Sequence, residues 1–465
     1  MKRANARDHR ASVLVAALSA AFGVILLEVT GAMSTMMMVD DVSDHGAVVV
    51  ALTIVAFVFL TIAVYVGAIV TTNTFATIVA GRARTIALLR LIGSSARAER
   101  RSVATEGLIV GVLGSLIGAA AGIALAVCVV AVSVAGGLLP DLPYSYFDPT
   151  LLLPVAFVVL STWLASRVGS RRVLLVTPLQ AIGASQELSR EESNSRRGRN
   201  AVAITLFSVG IAILGLGVLV GLVSMLGVLI GVVGGILSFT GLILGAHLVM
   251  PPALRIAGRM LGRGPEARLA AANAIRYPER SSRTTIGLVI GVTLITMFTV
   301  AAQTYQDLIR AAAEADPQLY QGVDQLLSVT VAVFSVLIGF SAFIAAVGMV
   351  NNLSLSVLQR QRELGLLRAL GFTGSQVRRL IVIEAAQYTL AAVGVGLLLG
   401  IFYGWAGAQS LLGAIEGSPG LIAPSVPWPL IVITIAAAAL LTAAASVAPS
   451  RRATRIAPVV ALAIE

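Results

Sequence analysis

QRQRELGLLRALGFTGSQVRRLIVIE, Gln359 to Glu384, is a charged island between two long apolar runs. Leu364, Leu367 and Leu370 recur three apart with Arg360, Arg362 and Arg368 around them, the period of a short amphipathic helix lying outside the membrane. Gly371 ends that helix. Thr373 reads as the N-cap of the next helix, with Gln376 three residues on as its capping-box partner. That second helix carries Arg378 and Arg379 into the apolar run beyond Glu384. The spacing predicts helix, glycine break, helix.

The island occurs twice. GRARTIALLRLIGSSARAERRSVATE, Gly81 to Glu106, superposes on it at a shift of 278 without a gap. Arg82, Leu88, Leu89, Arg90, Gly93, Arg100, Arg101 and Glu106 then fall on Arg360, Leu366, Leu367, Arg368, Gly371, Arg378, Arg379 and Glu384. Gly118 and Gly122 fall on Gly396 and Gly400 in the apolar run that follows. SRRVLLVTPLQAI from Ser170 and SRRATRIAPVVAL from Ser450 match at a shift of 280, so two residues of length separate the halves. This is a duplication of one long unit, the kind that builds many transporters, rather than a solenoid of short ones.

Composition sets the class independently. With 57% hydrophobic residues, 12% charged and a mean hydropathy of +0.94 over 465 residues, the chain has too little polar surface for a soluble protein of its length. The formal charge of +11 sits in short arginine clusters between apolar runs, a pattern of cytoplasmic loops and not of a nucleic-acid surface. Cys128 is the single cysteine, which closes disulfide and cysteine-metal readings.

Ten runs approach the ~20 residues that cross ~30 Å of hydrocarbon. The first half supplies Ser12 to about Val29, Val48 to Ile69, Glu106 to Val130 and Thr150 to Ser166. Ala201 to Val220 and Ser224 to Val249 form a pair with no counterpart in the repeat. The second half supplies Thr284 to Ala302, Leu326 to Val350, about Ala385 to Tyr403, and Pro429 to Ala445. With both termini cytoplasmic, the basic islands at 82–101, 167–199, 255–283, 360–379 and 451–455 all lie inside, and Arg310 alone lies outside. The outer connections carry acids instead, among them Asp40, Asp41, Asp44, Asp141, Asp148, Asp307 and Glu416. The fold class expected is an all-α polytopic membrane protein. It divides into a first four-span module (1–182), a polar linker (183–200), the inserted two-span pair (201–250), an amphipathic cytoplasmic segment (251–283) and a second four-span module (284–465).

Chemistry within the chain is excluded on simple grounds. A Walker A loop needs a lysine on the phosphates, and the sole lysine is Lys2. His9, His45 and His247 are scattered, with no metalloprotease or triad spacing. Glycine-rich runs lie inside apolar spans, where small residues let helices approach. Glu106 and Glu384 read either as proton-relay groups or as interfacial acids answering the adjacent arginine pairs. Met33, Met36, Met37 and Met38 beside His45 read either as soft-metal contacts or as apolar surface.

Arg360 to Gly371, read as R-x-R-E-L-G-L-L-R-A-L-G, together with the terminal SRR-A-x-R-x-x-P-V-x-A-L, resembles the FtsX-like (MacB-type) ABC transporter permeases. The ten-span, two-module plan is similar to the bacitracin-resistance type of that family. It departs from it in lacking room for a large extracellular domain, since the connections at about 30–47 and 303–325 are short. The resemblance implies a permease subunit in the plasma membrane that moves an amphipathic or hydrophobic molecule outwards, such as a lipid, peptide or drug-like compound. It also implies no cofactor in this chain, with ATP and Mg held by separate MacB-type ATPase subunits, two per permease chain. The two amphipathic helices would be the coupling helices, with Ile86, Leu89 and Arg90 in the first and Glu363, Leu364, Leu367, Arg368 and Leu370 in the second touching the ATPase. The alternative is a mechanotransmission or signalling scaffold that drives an extracellular partner without transport.

Overall fold

The computed structural model describes residues 10–37, 45–81, 83–135, 142–171, 197–262, 264–276, 278–315, 317, 339, 366–368, 370–414, 419–437 and 439–440. Among these residues all regular structure is helical. The chain divides into two compact units, Met1–Ser185 and Gln186–Glu465.

The first unit contains α1 (Arg10–Met37), α2 (His45–Gly81), the short α3 (Ala83–Leu91), α4 (Ala96–Ala135), a 3-10 turn (Pro149–Leu151) and α5 (Leu152–Gly169). α1 packs on α2 and α4, and α5 packs on α2 and α4, closing a four-helix bundle. Small residues make each of these four contacts close. A side chain at Gly118 would run into the backbone of Ala17, and one at Gly67 into Ser19. A Cβ at Gly169 would lie 2.8 Å from the Thr72 carbonyl oxygen, and one at Gly111 would lie 3.3 Å from that of Val159. In lipid, where hydrocarbon is as apolar as leucine, such close backbone approach is what drives helices together.

The second unit contains α6 (Arg197–Gly221), α7 (Gly227–Leu244), α8 (Ala246–Met260), α9 (Pro265–Arg276), α10 (Pro278–Ala315), α11 (Gly374–Leu412) and a last helix, α12, over Trp428–Ala437. α10 and α11 repeat the pairing of α1 and α4. Gly122 lies against the Ala21 carbonyl and the Val24 side chain, and Gly400 lies against the Thr293 carbonyl and the Thr296 side chain. α6 and α7 form a tight hairpin seamed by Gly217 and Gly231, and this pair docks on α11, where Gly221 meets the Ser410 backbone.

Six helices are long and apolar enough to cross a membrane, and Ser12–Glu28, Leu60–Asn73 and Trp428–Ala437 are shorter apolar helices. Together they fall on every expected span except the eighth, Leu326 to Val350, of which only residue 339 is described. The chain is a polytopic all-α membrane protein. Several boundaries differ from the sequence reading: α2 runs past Ile69 to Gly81, α10 past Ala302 to Ala315, and α11 past Tyr403 to Leu412. The apolar run 224–249 is not one helix: Gly245 separates α7 from α8, and Pro251 and Pro252 in α8 remove the N–H groups that the carbonyls of His247 and Leu248 would accept from. α6 begins at Arg197, inside the stretch read as linker, because a helix can carry its first turn of arginines into the aqueous phase before its apolar span starts.

Candidate functional site

Over the residues described in both, the two islands share one glycine joint at one register. α4 begins at Ala96 and α11 at Gly374, again 278 apart. Gly93 (φ +104°) and Gly371 (φ +98°) take the left-handed conformation that lets the chain leave one helix and enter the next, where a Cβ would be strained. The Ser94 N–H donates to the Leu89 carbonyl at 2.9 Å, and the Phe372 N–H donates to the Leu367 carbonyl at 3.0 Å. In the second island the Gly371 N–H also donates to the Arg368 carbonyl at 3.1 Å, completing a Schellman cap.

The start of each long helix is capped as well. Thr373 Oγ1 accepts from the Gln376 N–H at 3.3 Å while the Thr373 N–H donates to Gln376 Oε1 at 2.9 Å, the capping box the sequence called for. In the first island Ser95 Oγ accepts from the Ala98 N–H at 3.1 Å, but alanine has no side chain to reciprocate. Ser94 Oγ instead donates to Glu99 Oε1 at 2.6 Å. Between caps and glycines, the angle from short helix to long helix is set by backbone hydrogen bonds.

The expected contact residues divide sharply in placement. Ile86 is buried in a cluster with Phe75, Val79, Val103 and Val110, and Leu89 is half-buried. Leu367 packs with Phe372 on Val377 and Ile381 of α11, and Arg368 is half-buried. Leu370 is 71% exposed. Glu363, Leu364 and the side chain of Arg90 lie outside the described residues. Ile86 and Leu367 therefore hold each short helix to its own bundle. The outward apolar edge keeps only Leu370 of the expected set and is otherwise made by residues outside it: Leu88 (51% exposed) and Ile92 (82%) in the first island, and Leu366 (51%) beside Leu370 in the second. Leu88 and Ile92 fall on Leu366 and Leu370 at the shift of 278, so both units present the same i, i+4 leucine or isoleucine pair. The duplication carried this signal, since all four positions are large and apolar, but an amphipathic reading assigns one apolar face per helix and here there are two.

Cationic side chains flank both edges. Arg97, Arg101, Arg378 and Arg379 are exposed on the first turns of α4 and α11. Arg100 Nη2 donates to the Arg167 carbonyl at the last turn of α5, where helix carbonyls lack intrahelical donors, and Arg167 lies 5.3 Å from the Trp163 ring centroid. One turn further into the span, the Tyr388 hydroxyl donates to buried Glu384 at 2.6 Å. The methionine side chains beside His45 fall outside the described residues.

The family described as FtsX-like permease C-terminal matches twice, over residues 57–174 and 335–458, just over half of the chain. The two matches begin 278 residues apart, the period of the islands. An uncharacterized ABC transporter permease of Bacillus subtilis, YknZ, is 28% identical over 148 residues, 32% of this chain and 35% of its own length. The macrolide export ATP-binding/permease protein MacB of Rhodopirellula baltica is 34% identical over 145 residues, 31% of this chain and 20% of its own. An uncharacterized ABC transporter permease of Methanocaldococcus jannaschii is 36% identical over 80 residues, 17% of this chain and 18% of its own. The matched regions thus span about a third or less of these curated relatives.

Proposed function

The chain belongs to the FtsX-like permease family, and from that membership we infer that it is the membrane subunit of an ABC exporter driven by separate MacB-type ATPase subunits. The observation that carries this reading is the pair of outward edges, Leu88 with Ile92 and Leu366 with Leu370, each followed by the same left-handed glycine and the same backbone hydrogen bond across it. A two-fold symmetric partner would meet the same surface twice. Each edge stands at the cationic end of a long helix, so the ATPase would dock at the cytoplasmic ends of α4 and α11, and both termini of the chain would face the cytoplasm. ATP and Mg would be bound by the ATPase alone.

Docking would work through helices that are continuous from the cap to the opposite end of the bundle. α4 has 40 residues and α11 has 39, about 60 Å each, so a displacement at the caps reaches the far end of the bundle without a break in the backbone ladder. The cargo that suits a chain with such apolar walls is amphipathic or hydrophobic, taken from the bilayer and released outwards. The reading is tested by reconstituting the full chain with its cognate ATPase and measuring both hydrolysis and outward movement of a fluorescent amphiphile. Hydrolysis coupled to movement is the expected result. Stimulated hydrolysis without movement would favour mechanotransmission, and no association with an ATPase would end both readings.

A further inference from the structure

At the end of the first unit opposite the island, α1 buries an acid. Glu28 is 7% exposed, and among the described residues nothing hydrogen-bonds its buried Oε1. α1 is held there by α4, α2 and the start of α5: Gly122 lies against Ala21 and Val24, and Gly23 lies against Leu60 and Pro154. Among the described residues the ionisable group acting on Glu28 from these elements is a second acid, Asp148, which precedes the 3-10 turn leading into α5. Hydrogen bonds from Thr150, one of them the Thr150 N–H to Asp148 Oδ1 at 2.8 Å, hold the Asp148 carboxyl below the usual carboxylate range, so it is ionised at neutral pH. No arginine, lysine or histidine is placed to neutralise the pair among these residues.

The second unit shows that the fold does not require this acid. Ala21 and Val24 at Gly122 correspond to Thr293 and Thr296 at Gly400, a register that puts Val300 at the place of Glu28. Val300 is 0% exposed and lies on Gly404. Likewise the Leu151 N–H donates to the Asp148 carbonyl as the Leu430 N–H donates to the Pro427 carbonyl, so Pro427 stands where Asp148 does. Valine and proline satisfy the packing in one copy, whereas the other copy carries two carboxyls at the same places. An isolated charge buried at the end of an apolar span is costly, and acids held at such positions mark sites where a cation is met.

We propose that Glu28 and Asp148 form a subsite, present in the first unit alone, for the ammonium group of an amphiphile whose chain lies along the apolar surface of the bundle. The subsite rests on the exporter reading and narrows its substrate class to cationic amphiphiles. Glu28 supplies the inner carboxyl, in contact with the apolar wall, and Asp148 supplies the outer one, facing water. An alkyl chain gains nothing from this pair, so recognition depends on the charged head.

The test is carbodiimide labelling of the full chain in phosphatidylcholine nanodiscs, read by mass spectrometry at Glu28 with buried Glu384 as the internal control. The probe is decyltrimethylammonium, compared with decanol at equal membrane loading. With the ammonium compound at about ten times its Kd, labelling at Glu28 should fall about tenfold while Glu384 is unchanged. Decanol should have no effect, and Glu28→Val, which installs the residue of the second unit, should remove the labelled peptide while leaving the protein monodisperse. Protection by phosphatidylethanolamine in place of the probe would also support the site and identify a lipid amine as its source. Equal protection by decanol, equal changes at Glu384, or no labelling of Glu28 would each overturn the proposal. No ATPase takes part, so failure here leaves the docking edges standing, and failure of docking leaves this labelling interpretable.

Discussion

Tyr403 on α11 and Ser238 on α7 are joined by a hydrogen bond of 2.9 Å inside the second unit, with the Phe239 ring packed edge-on to Tyr403 at 6.0 Å. The residue at the place of Tyr403 in the first unit is Leu125, which is exposed. The inserted pair thus covers a face of α11 whose counterpart on α4 is uncovered, and it does so through a polar contact that the first unit lacks. Tyr403→Phe should lower the thermal stability of the detergent-purified protein by about 0.5–2 kcal/mol, the range for an interhelical hydrogen bond in a membrane protein. Leu125→Ala, at the uncovered place, should leave the melting temperature within error.

Leu366 and Leu367 are neighbours with opposite duties, one turned outward and the other packed on Val377 and Ile381. Leu366→Asp should abolish co-purification with the ATPase while leaving the melting curve near that of the native chain. Leu367→Asp should lower stability by about 2–4 kcal/mol, because a charge would be forced against a buried aliphatic cluster. Identical behaviour of the two variants in both assays would contradict the division of faces.

The two glycine joints differ in their caps. Thr373 and Gln376 bond reciprocally, whereas Ser95 is answered by Ala98, which cannot. Thr373→Ala should cost about 0.5–2 kcal/mol and raise amide exchange over the first turn of α11. Ser95→Ala should act in the same direction with the smaller effect. In ATPase stimulation, Leu366→Asp should accordingly be more damaging than Leu88→Asp.

Because a single chain carries both edges, one copy should bind two ATPase subunits. Native mass spectrometry of the purified complex reads this directly. A particle with two copies of the permease would refute it.

Gly118 meets the backbone of Ala17, which cannot yield as a side chain can. Gly118→Leu should therefore destabilise the first unit by at least about 1–3 kcal/mol. Loss of monodisperse protein on size-exclusion chromatography is the expected readout, with Gly31→Ala, where a Cβ meets nothing, as the tolerated control.

Much of this architecture can be read in the chain. Apolar runs of membrane-spanning length mark the helices, and the shift of 278 pairs Gly93 with Gly371, the two glycines that take the left-handed conformation at the joints. The caps were legible because capping is a local matter of side chain and backbone within four residues, as at Thr373 and Gln376. Orientation of the short helices was not. The first short helix is apolar on a packed side and on an exposed one, and periodicity marks Ile86 and Leu88 alike without saying which is inside. Glu28 escaped notice for a different reason: one acid at the end of an apolar run reads as interfacial, and only its register with Val300 exposes it as unnecessary to packing. The docking of the inserted pair depends on Tyr403 meeting Ser238 across 165 positions of sequence, and no local pattern encodes that meeting.

The small-residue contacts at Gly67, Gly111, Gly118 and Gly169 have a mechanical consequence. They lock all four interfaces of the first bundle backbone to backbone or nearly so, leaving little slack for one helix to slide on another. Four helices then have the degrees of freedom of one solid body, and a push at the island can only rotate or translate the whole. Glu28 stands about 45 Å along α4 from the capped end, so a rotation of about 5° about that end would carry it through about 4 Å, close to the diameter of an alkyl chain. Under the proposed coupling, the bundle would act as a lever with its short stroke at the glycine joint and its longer one at Glu28.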